Sequence, residues 1–203
     1  MIKNPYLDYL FLIDSLKKYA SPKARLTSMI KSGEVIKVKR GLYVDSKQGT
    51  YSLKTVANKI FGPSYISFEY ALSYYNLIPE RVDTISSASI GKNKTRIYQT
   101  PLGTFLYKSI NPQVYPYGIL RIEEDTGPFL IATREKALCD TLSKVSTVMN
   151  LSSLENLLFE DLRIERDELR ACSLQDFEML IPQYQKKNLR LFLKFLNREL
   201  HVA

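Results

Sequence analysis

Ser21-Pro22-Lys23-Ala24-Arg25-Leu26-Thr27-Ser28-Met29-Ile30-Lys31-Ser32-Gly33-Glu34-Val35-Ile36-Lys37-Val38-Lys39-Arg40-Gly41-Leu42-Tyr43-Val44 is the stretch that decides the fold. Ser21-Pro22 reads as a helix cap followed by proline at the first helical position, where its missing N–H costs nothing. Leu26, Met29 and Ile30 then recur at three-to-four spacing, which predicts a helix over Lys23–Lys31. Ser32-Gly33 ends it. Glu34 to Lys39 alternates by twos, Arg40-Gly41 supplies a turn, and Leu42-Tyr43-Val44 returns as a second strand. A helix followed by a basic hairpin is the core of a winged helix.

The same stretch holds most of the chain's excess charge. The 203 residues carry a formal charge of +8. Residues 17–47 contribute nine Lys or Arg against Glu34 and Asp45, a net +7 in one short segment. A DNA-reading helix needs short polar and basic side chains on its exposed face, some reaching base edges and others phosphates. Lys23, Arg25, Thr27, Ser28 and Lys31 supply such a face, and Lys37, Lys39 and Arg40 stand where a wing would cross the backbone. The competing reading is a run of solvated lysines with no partner.

Upstream, Asn4-Pro5 repeats the cap signal and predicts a helix from about Pro5 to Lys18. Its apolar residues, Tyr6 to Leu16, cover more than one face, which points to burial on two sides, between modules or at a dimer contact. With Tyr19 and Ala20 alone before the Ser21 cap, the spacing predicts an abbreviated helix-turn-helix.

Downstream, helices are expected at Leu53–Phe61 and from the Ser67 cap to about Asn76, with a break at Gly62-Pro63. From Val82 to Thr133 short strands recur, separated by turns at Gly91-Lys92-Asn93-Lys94 and Asp125-Thr126-Gly127, which predicts one mainly antiparallel sheet. The rest reads as helical, with segments at Thr133–Val148, after Ser152-Ser153, at Asp167–Ala171, from Ser173 with an interruption at Pro182, and at Lys186–Leu200. The fold class is therefore α+β. Residues 1–48 form a winged-helix-like DNA-binding module, and residues 49–203 form an α+β domain that ends in a helical segment from about residue 150.

Composition bounds the function. The 45% hydrophobic and 25% charged fractions are those of a folded globular chain. Cys139 and Cys172 lie far apart without C-x-x-C spacing, and the N-terminus shows no signal pattern, so a cytoplasmic protein with free thiols is expected. No stretch approaches a membrane span. His201 is the single histidine, which leaves zinc sites and Ser-His-Asp triads without members, and no glycine-rich phosphate loop is present.

Glu123-Glu124-Asp125 reads as a solvated hairpin tip in preference to a metal site. Arg134-Glu135-Lys136 and Glu165-Arg166-Asp167 fall on predicted helices, away from the strand that a restriction-type nuclease site requires. The aromatic group Tyr65, Phe68, Tyr70, Tyr74 and Tyr75 could stack bases, but core packing explains its helical spacing. The terminal helix sets Leu189, Phe192, Leu193, Leu196 and Leu200 against Arg190, Lys194 and Arg198, a core face with a wet basic side. No enzyme activity and no cofactor are expected.

Several segments together resemble the abortive-infection antitoxin family, often written AbiEi, of bacterial type IV toxin–antitoxin systems. They are Met29-Ile30-Lys31-Ser32-Gly33-Glu34 with Arg40-Gly41-Leu42-Tyr43-Val44, the run from Pro63 to Tyr75, Leu77-Ile78-Pro79-Glu80, Gly103-Thr104-Phe105, and Glu135-Lys136-Ala137-Leu138-Cys139-Asp140. The family more often has Leu at the place of Phe68, Ser at Tyr70 and Gly at Asn76. The resemblance implies a transcriptional regulator whose winged helix binds inverted repeats in its own promoter as duplex DNA, with a possible homodimer on that DNA. It also implies a second domain that counters a nucleotidyltransferase-like toxin. A protein-interaction module that silences the toxin by direct contact, without DNA, is the other reading.

Overall fold

A computed structural model describes residues 4–47, 50–91 and 94–200. It has a three-stranded sheet near the N-terminus and a six-stranded sheet in the body, both flanked by helices. The α+β class is as the sequence indicates.

The first element departs from expectation. Tyr6–Asp8 is a strand, β1, and the helix that follows, α1, runs from Tyr9 to Ser15. Asn4 is not its cap, because the Asn4 Oδ1 accepts the Tyr6 N–H at 3.0 Å and turns the chain into the strand. Asp8 caps the helix instead, its Oδ1 accepting the Phe11 N–H at 2.8 Å. Tertiary pairing outweighs the Asn-Pro signal here. Tyr6, Leu7 and Asp8 lie antiparallel to Val44, Tyr43 and Leu42, and the Tyr6 hydroxyl reaches the Thr126 carbonyl at 2.7 Å.

α2, Pro22–Lys31, starts at Ser21, whose Oγ accepts the Ala24 N–H at 3.4 Å. The hairpin follows as β2, Val35–Lys39, and β3, Leu42–Asp45. Gly41 sits at φ +86° in the turn, a conformation that costs glycine nothing. The sheet order is β1-β3-β2. Leu12, Leu16, Leu26, Val35 and Tyr43 form a small core between this sheet and α1–α2. Tyr6, Val38, Leu42 and Val44 belong to the main core of the body. The N-terminal sheet is therefore packed on both faces, helices on one and body on the other. The expected unit boundary at 48/49 falls at residues outside those described.

In the body, α3 spans Leu53–Ile60, a short strand β4 spans Ser64–Ile66, and α4 spans Phe68–Tyr74. The strands β5, Ile85–Ser89; β6, Arg96–Thr100; β7, Gly103–Ser109; β8, Ile119–Ile122; and β9, Phe129–Ala132, complete the sheet in the order β6-β7-β5-β4-β9-β8. Three of its pairings are antiparallel, and two, β5 with β7 and β4 with β9, are parallel. The sheet is thus mainly antiparallel, as expected, while β4 was not foreseen. The Lys92-Asn93 part of the expected turn lies outside the described residues. All five residues of β5 are buried, and four of them are Ser or Ala, because helices cover both faces of the sheet there.

α5, Arg134–Lys144, packs on the sheet beside α4. Then come α6, Leu151–Asn156, a π-helical turn at Leu157–Asp161, α7, Arg166–Arg170, α8, Leu174–Tyr184, and α9, Lys187–Leu200. Pro182 does not interrupt α8, which runs to Tyr184 and ends at Gln185 with φ +52°. Ser67 is extended and precedes α4, yet its hydroxyl caps nothing, since it donates to Asp140 at 2.7 Å. The aromatic group is largely core: Tyr65 and Phe68 are buried and Tyr70 and Tyr75 pack against the same cluster. His201 and the Leu200 side chain lie outside what the structure describes. No helix among the described residues is long and apolar enough to cross a membrane.

Candidate nucleic-acid interface

Because α1 ends at Ser15 and α2 begins at Pro22, residues 16–21 form a turn between two helices that share the Leu12–Leu16–Leu26 core. The pair is a two-helix unit followed by a β-hairpin. A single helix precedes α2, so the helix-turn-helix is abbreviated as the sequence indicates, although residues 16–21, and not Tyr19 and Ala20 alone, separate the two helices.

α2 is ten residues long, about 15 Å at 1.5 Å per residue, and the major groove is about 12 Å wide. Leu26 faces inward and Met29 and Ile30 are half-buried, which leaves Lys23, Thr27, Ser28 and Lys31 exposed. Lys23, Thr27 and Lys31 fall in one i, i+4, i+8 row. The Thr27 hydroxyl donates to the Lys23 carbonyl at 3.0 Å, an internal bond that leaves its oxygen able to accept.

Arg25 is placed differently. Its guanidinium lies 3.6 Å from Glu34 and 5.5 Å from the centre of the Tyr19 ring, and its Nε has no hydrogen-bond partner among the described residues. Glu34 also binds Lys47 at 3.1 Å and accepts the Ser32 hydroxyl at 2.9 Å. The Lys47 ammonium first, then the Ser32 hydroxyl, hold the Glu34 carboxyl below its ordinary range. One acid therefore engages two of the nine cations. The sequence shows Glu34 as the sole carboxylate between α2 and β2, a signal that could have found this hub.

The hairpin splits the remaining three residues. Lys37 is opposite Tyr43, so it shares the face that carries α1 and α2, and it is exposed. A bulge between Lys37 and Lys39 breaks the alternation, and Val38 joins the body core. Lys39 is half-buried and its ammonium donates to the Ile60 carbonyl, so it is turned to the body and away from the wing tip. Arg40 is exposed at the tip. Lys23, Lys31, Lys37 and Arg40 make no ion pair among the described residues.

Within this single chain α1 is buried on one side only, which leaves a dimer contact as the remaining form of the expected two-sided burial. Leu10 is 77% and Phe11 58% exposed. A cavity of about 580 Å³ opens beside them, walled by Leu7, Phe11, Leu12, Met29 and Val35.

In the body, most of the acidic side chains weighed from the sequence have partners. Glu124 pairs with Lys54 at 2.6 Å, Glu123 with Arg121, and the Glu135 carboxylate accepts the Ser173 N–H at 3.0 Å. Among the described residues no group of three or more His, Cys, Asp and Glu could hold a metal ion. Lys136 and Asp140, both fully buried, lie 3.4 Å apart, and Asp140 also accepts hydroxyls from Tyr65, Ser67 and Tyr184 at 2.8, 2.7 and 2.6 Å. The Lys136 ammonium donates to the Val114 carbonyl at 2.6 Å. The network joins β4, α5, α8 and the Pro112–Val114 turn, with both Asp140 oxygens engaged and the Lys136 ammonium set between two oxygen partners, an arrangement that holds the fold.

Comparison with known protein families and with curated proteins gives no match for this chain.

Proposed function

We propose that this protein is a DNA-binding transcriptional regulator of the antitoxin type, one that represses its own operon and counters a nucleotidyltransferase-like toxin. The observation that carries DNA binding is the exposed face of α2. Lys23, Thr27, Ser28 and Lys31 stand there in helical rows, flanked by Lys37 and Arg40, with no acid paired to the four cations among the described residues. A solvated surface tolerates this; a phosphate-binding surface requires it. In this reading α2 lies in the major groove, α1 crosses the backbone, and Arg40 meets the phosphates beyond. Arg25 acts from behind, its charge shared with Glu34. The promoter, the inverted repeats and the toxin come from the resemblance to the AbiEi family.

Fluorescence anisotropy with duplex from upstream of the chain's own operon tests the proposal. Wild type should bind, and Lys23→Glu plus Lys31→Glu should weaken binding at least tenfold, about 1.4 kcal/mol or more. Equal binding by both proteins would remove the assignment.

A second reading, direct contact with a partner protein, is favoured by Leu10 and Phe11. Exposed apolar side chains beside a partly apolar cavity, which Asp8 and Asp45 also line, fit a protein interface better than a phosphate backbone. A homodimer formed on DNA would reconcile the two readings, and co-purification with the neighbouring gene product would separate them.

A further inference from the structure

In the body, a cleft of about 360 Å³ opens where the end of β7, the Pro112–Val114 turn, the end of α5 and the α8–α9 junction meet. Lys144 and Lys186 stand in its wall with Ser109, Asn111 and Ser143, and among the described residues no acidic side chain lines it. The carboxylate behind it, Asp140, is fully buried and already holds three hydroxyls and Lys136. The Lys144 ammonium donates to the Ser109 carbonyl, which fixes it at the rim. Burial, and then the nearby Lys186 ammonium, press Lys144 below the ordinary lysine range. Two ammonium groups held on one cleft repel each other unless an anion comes between them.

α9 extends this field. Of residues 187–199 the exposed ones are Lys187, Arg190, Lys194 and Arg198, all basic, and none has an ion-pair partner among the described residues. Like charges at i, i+3 and i+4 cost the helix a few tenths of a kcal/mol each, roughly, and gain nothing within the chain. A row of cations leading to a concave site concentrates anions at it.

We infer that this cleft binds a phosphate group, carried by a small phosphorylated molecule of mononucleotide size or by the phosphorylated end of a nucleic-acid strand. Two ammonium groups match the double charge of a terminal phosphate, and the Ser109 hydroxyl and the Asn111 amide supply neutral donors around it, the Ser143 hydroxyl being spent on the Asp140 carbonyl at 2.7 Å. The volume lies within the range of small-molecule sites, roughly 300–1,000 Å³, and Ile110 and Pro112 give an apolar wall for the rest of the ligand. The inference does not depend on DNA binding by α2, which uses a different part of the chain.

Isothermal titration calorimetry on the full chain tests it, with pyrophosphate, AMP, and a tetranucleotide carrying either a 5′-phosphate or a 5′-hydroxyl. Pyrophosphate should bind saturably with Kd below about 1 mM, and Lys144→Gln plus Lys186→Gln should weaken it at least tenfold. Tighter binding of AMP than of the phosphorylated tetranucleotide identifies a small ligand, and the reverse order identifies a strand end. Because both lysines are exposed, the variant should melt with the wild type, and if it does not, Lys186→Gln alone is used. No saturable binding of pyrophosphate, binding unchanged in the lysine variants, or equal binding of the 5′-hydroxyl strand would overturn the inference. Operator binding measured in parallel should not respond to these two substitutions, so the two proposals fail separately.

Discussion

Asp140→Ala is expected to be among the most damaging single changes in the body. The side chain is fully buried, 3.4 Å from Lys136, and accepts three hydroxyl hydrogen bonds. Removing it strands an equally buried ammonium, and breaking a buried pair by deleting one partner costs about 3–5 kcal/mol. The Tyr65 and Tyr184 hydroxyls also lose their acceptor, at roughly 1–3 kcal/mol for each unmet buried group. These terms share one network and do not add, so about 4 kcal/mol is the expected loss. That is a large part of a typical total of about 5–15 kcal/mol. Adding Lys136→Met removes the orphaned charge and should restore about 2 kcal/mol of it. Urea unfolding followed by circular dichroism at pH 7.5 measures both variants. A loss under about 1 kcal/mol for Asp140→Ala, or a double variant no more stable than the single, would refute the view that the pair is held together by mutual compensation.

Tyr6→Phe removes the hydroxyl that donates to Thr126 and accepts from the Ser52 N–H at 2.9 Å, so β1 should loosen from the body at a cost of about 1–2 kcal/mol. Faster amide exchange at Ser52 and along β1 would report it. Gln185 holds φ +52° at the end of α8, and Gln185→Gly should raise stability by about 0.5 kcal/mol, the relief of the left-handed penalty less the extra chain entropy; a lower melting temperature would contradict it. Alkali should destabilise the fold. Burial pushes the Cys172 thiol up to about 12 and the Tyr75 hydroxyl to about 12, so the native state keeps protons that the unfolded chain gives up above about pH 9 for the thiol and about pH 10 for the phenol. Stability then falls by about 1.4 kcal/mol per pH unit for each group in its window. The buried Lys136 amine, whose pKa is lowered by burial, works the other way below its unfolded value, and the raised thiol of Cys139 adds to the fall. Urea midpoints that stay level from pH 8 to 10.5 would contradict this.

How much of this was legible in the sequence depends on whether an element is fixed locally or by its partners. α2 and the β2–β3 hairpin are written in adjacent residues, a Ser-Pro cap, a Ser-Gly stop and an Arg-Gly turn, and they stand where expected. β1 and β4 are three residues each and exist because a neighbouring strand offers its edge, so no local pattern marks them. The site divides likewise. Lys23, Thr27, Ser28 and Lys31 follow from helical periodicity, whereas the inward turn of Lys39 depends on a bulge and that of Arg25 on Glu34, nine residues away. The Lys136–Asp140 pair could be read as an i, i+4 couple, but a surface pair has the same spacing. Its burial arises from β4 and α8, which lie far along the chain.

The central claim, that α2 and the hairpin tip bind DNA through unpaired cations, is tested most directly by the salt dependence of duplex binding. With Lys23, Lys31, Lys37 and Arg40 each meeting a phosphate, log affinity should fall against log salt with a slope of about −3.6, at 0.9 per contact. Lys23→Glu plus Lys31→Glu should flatten that slope to about −2 or less. Binding that does not respond to salt, or an identical slope in wild type and variant, would contradict the account.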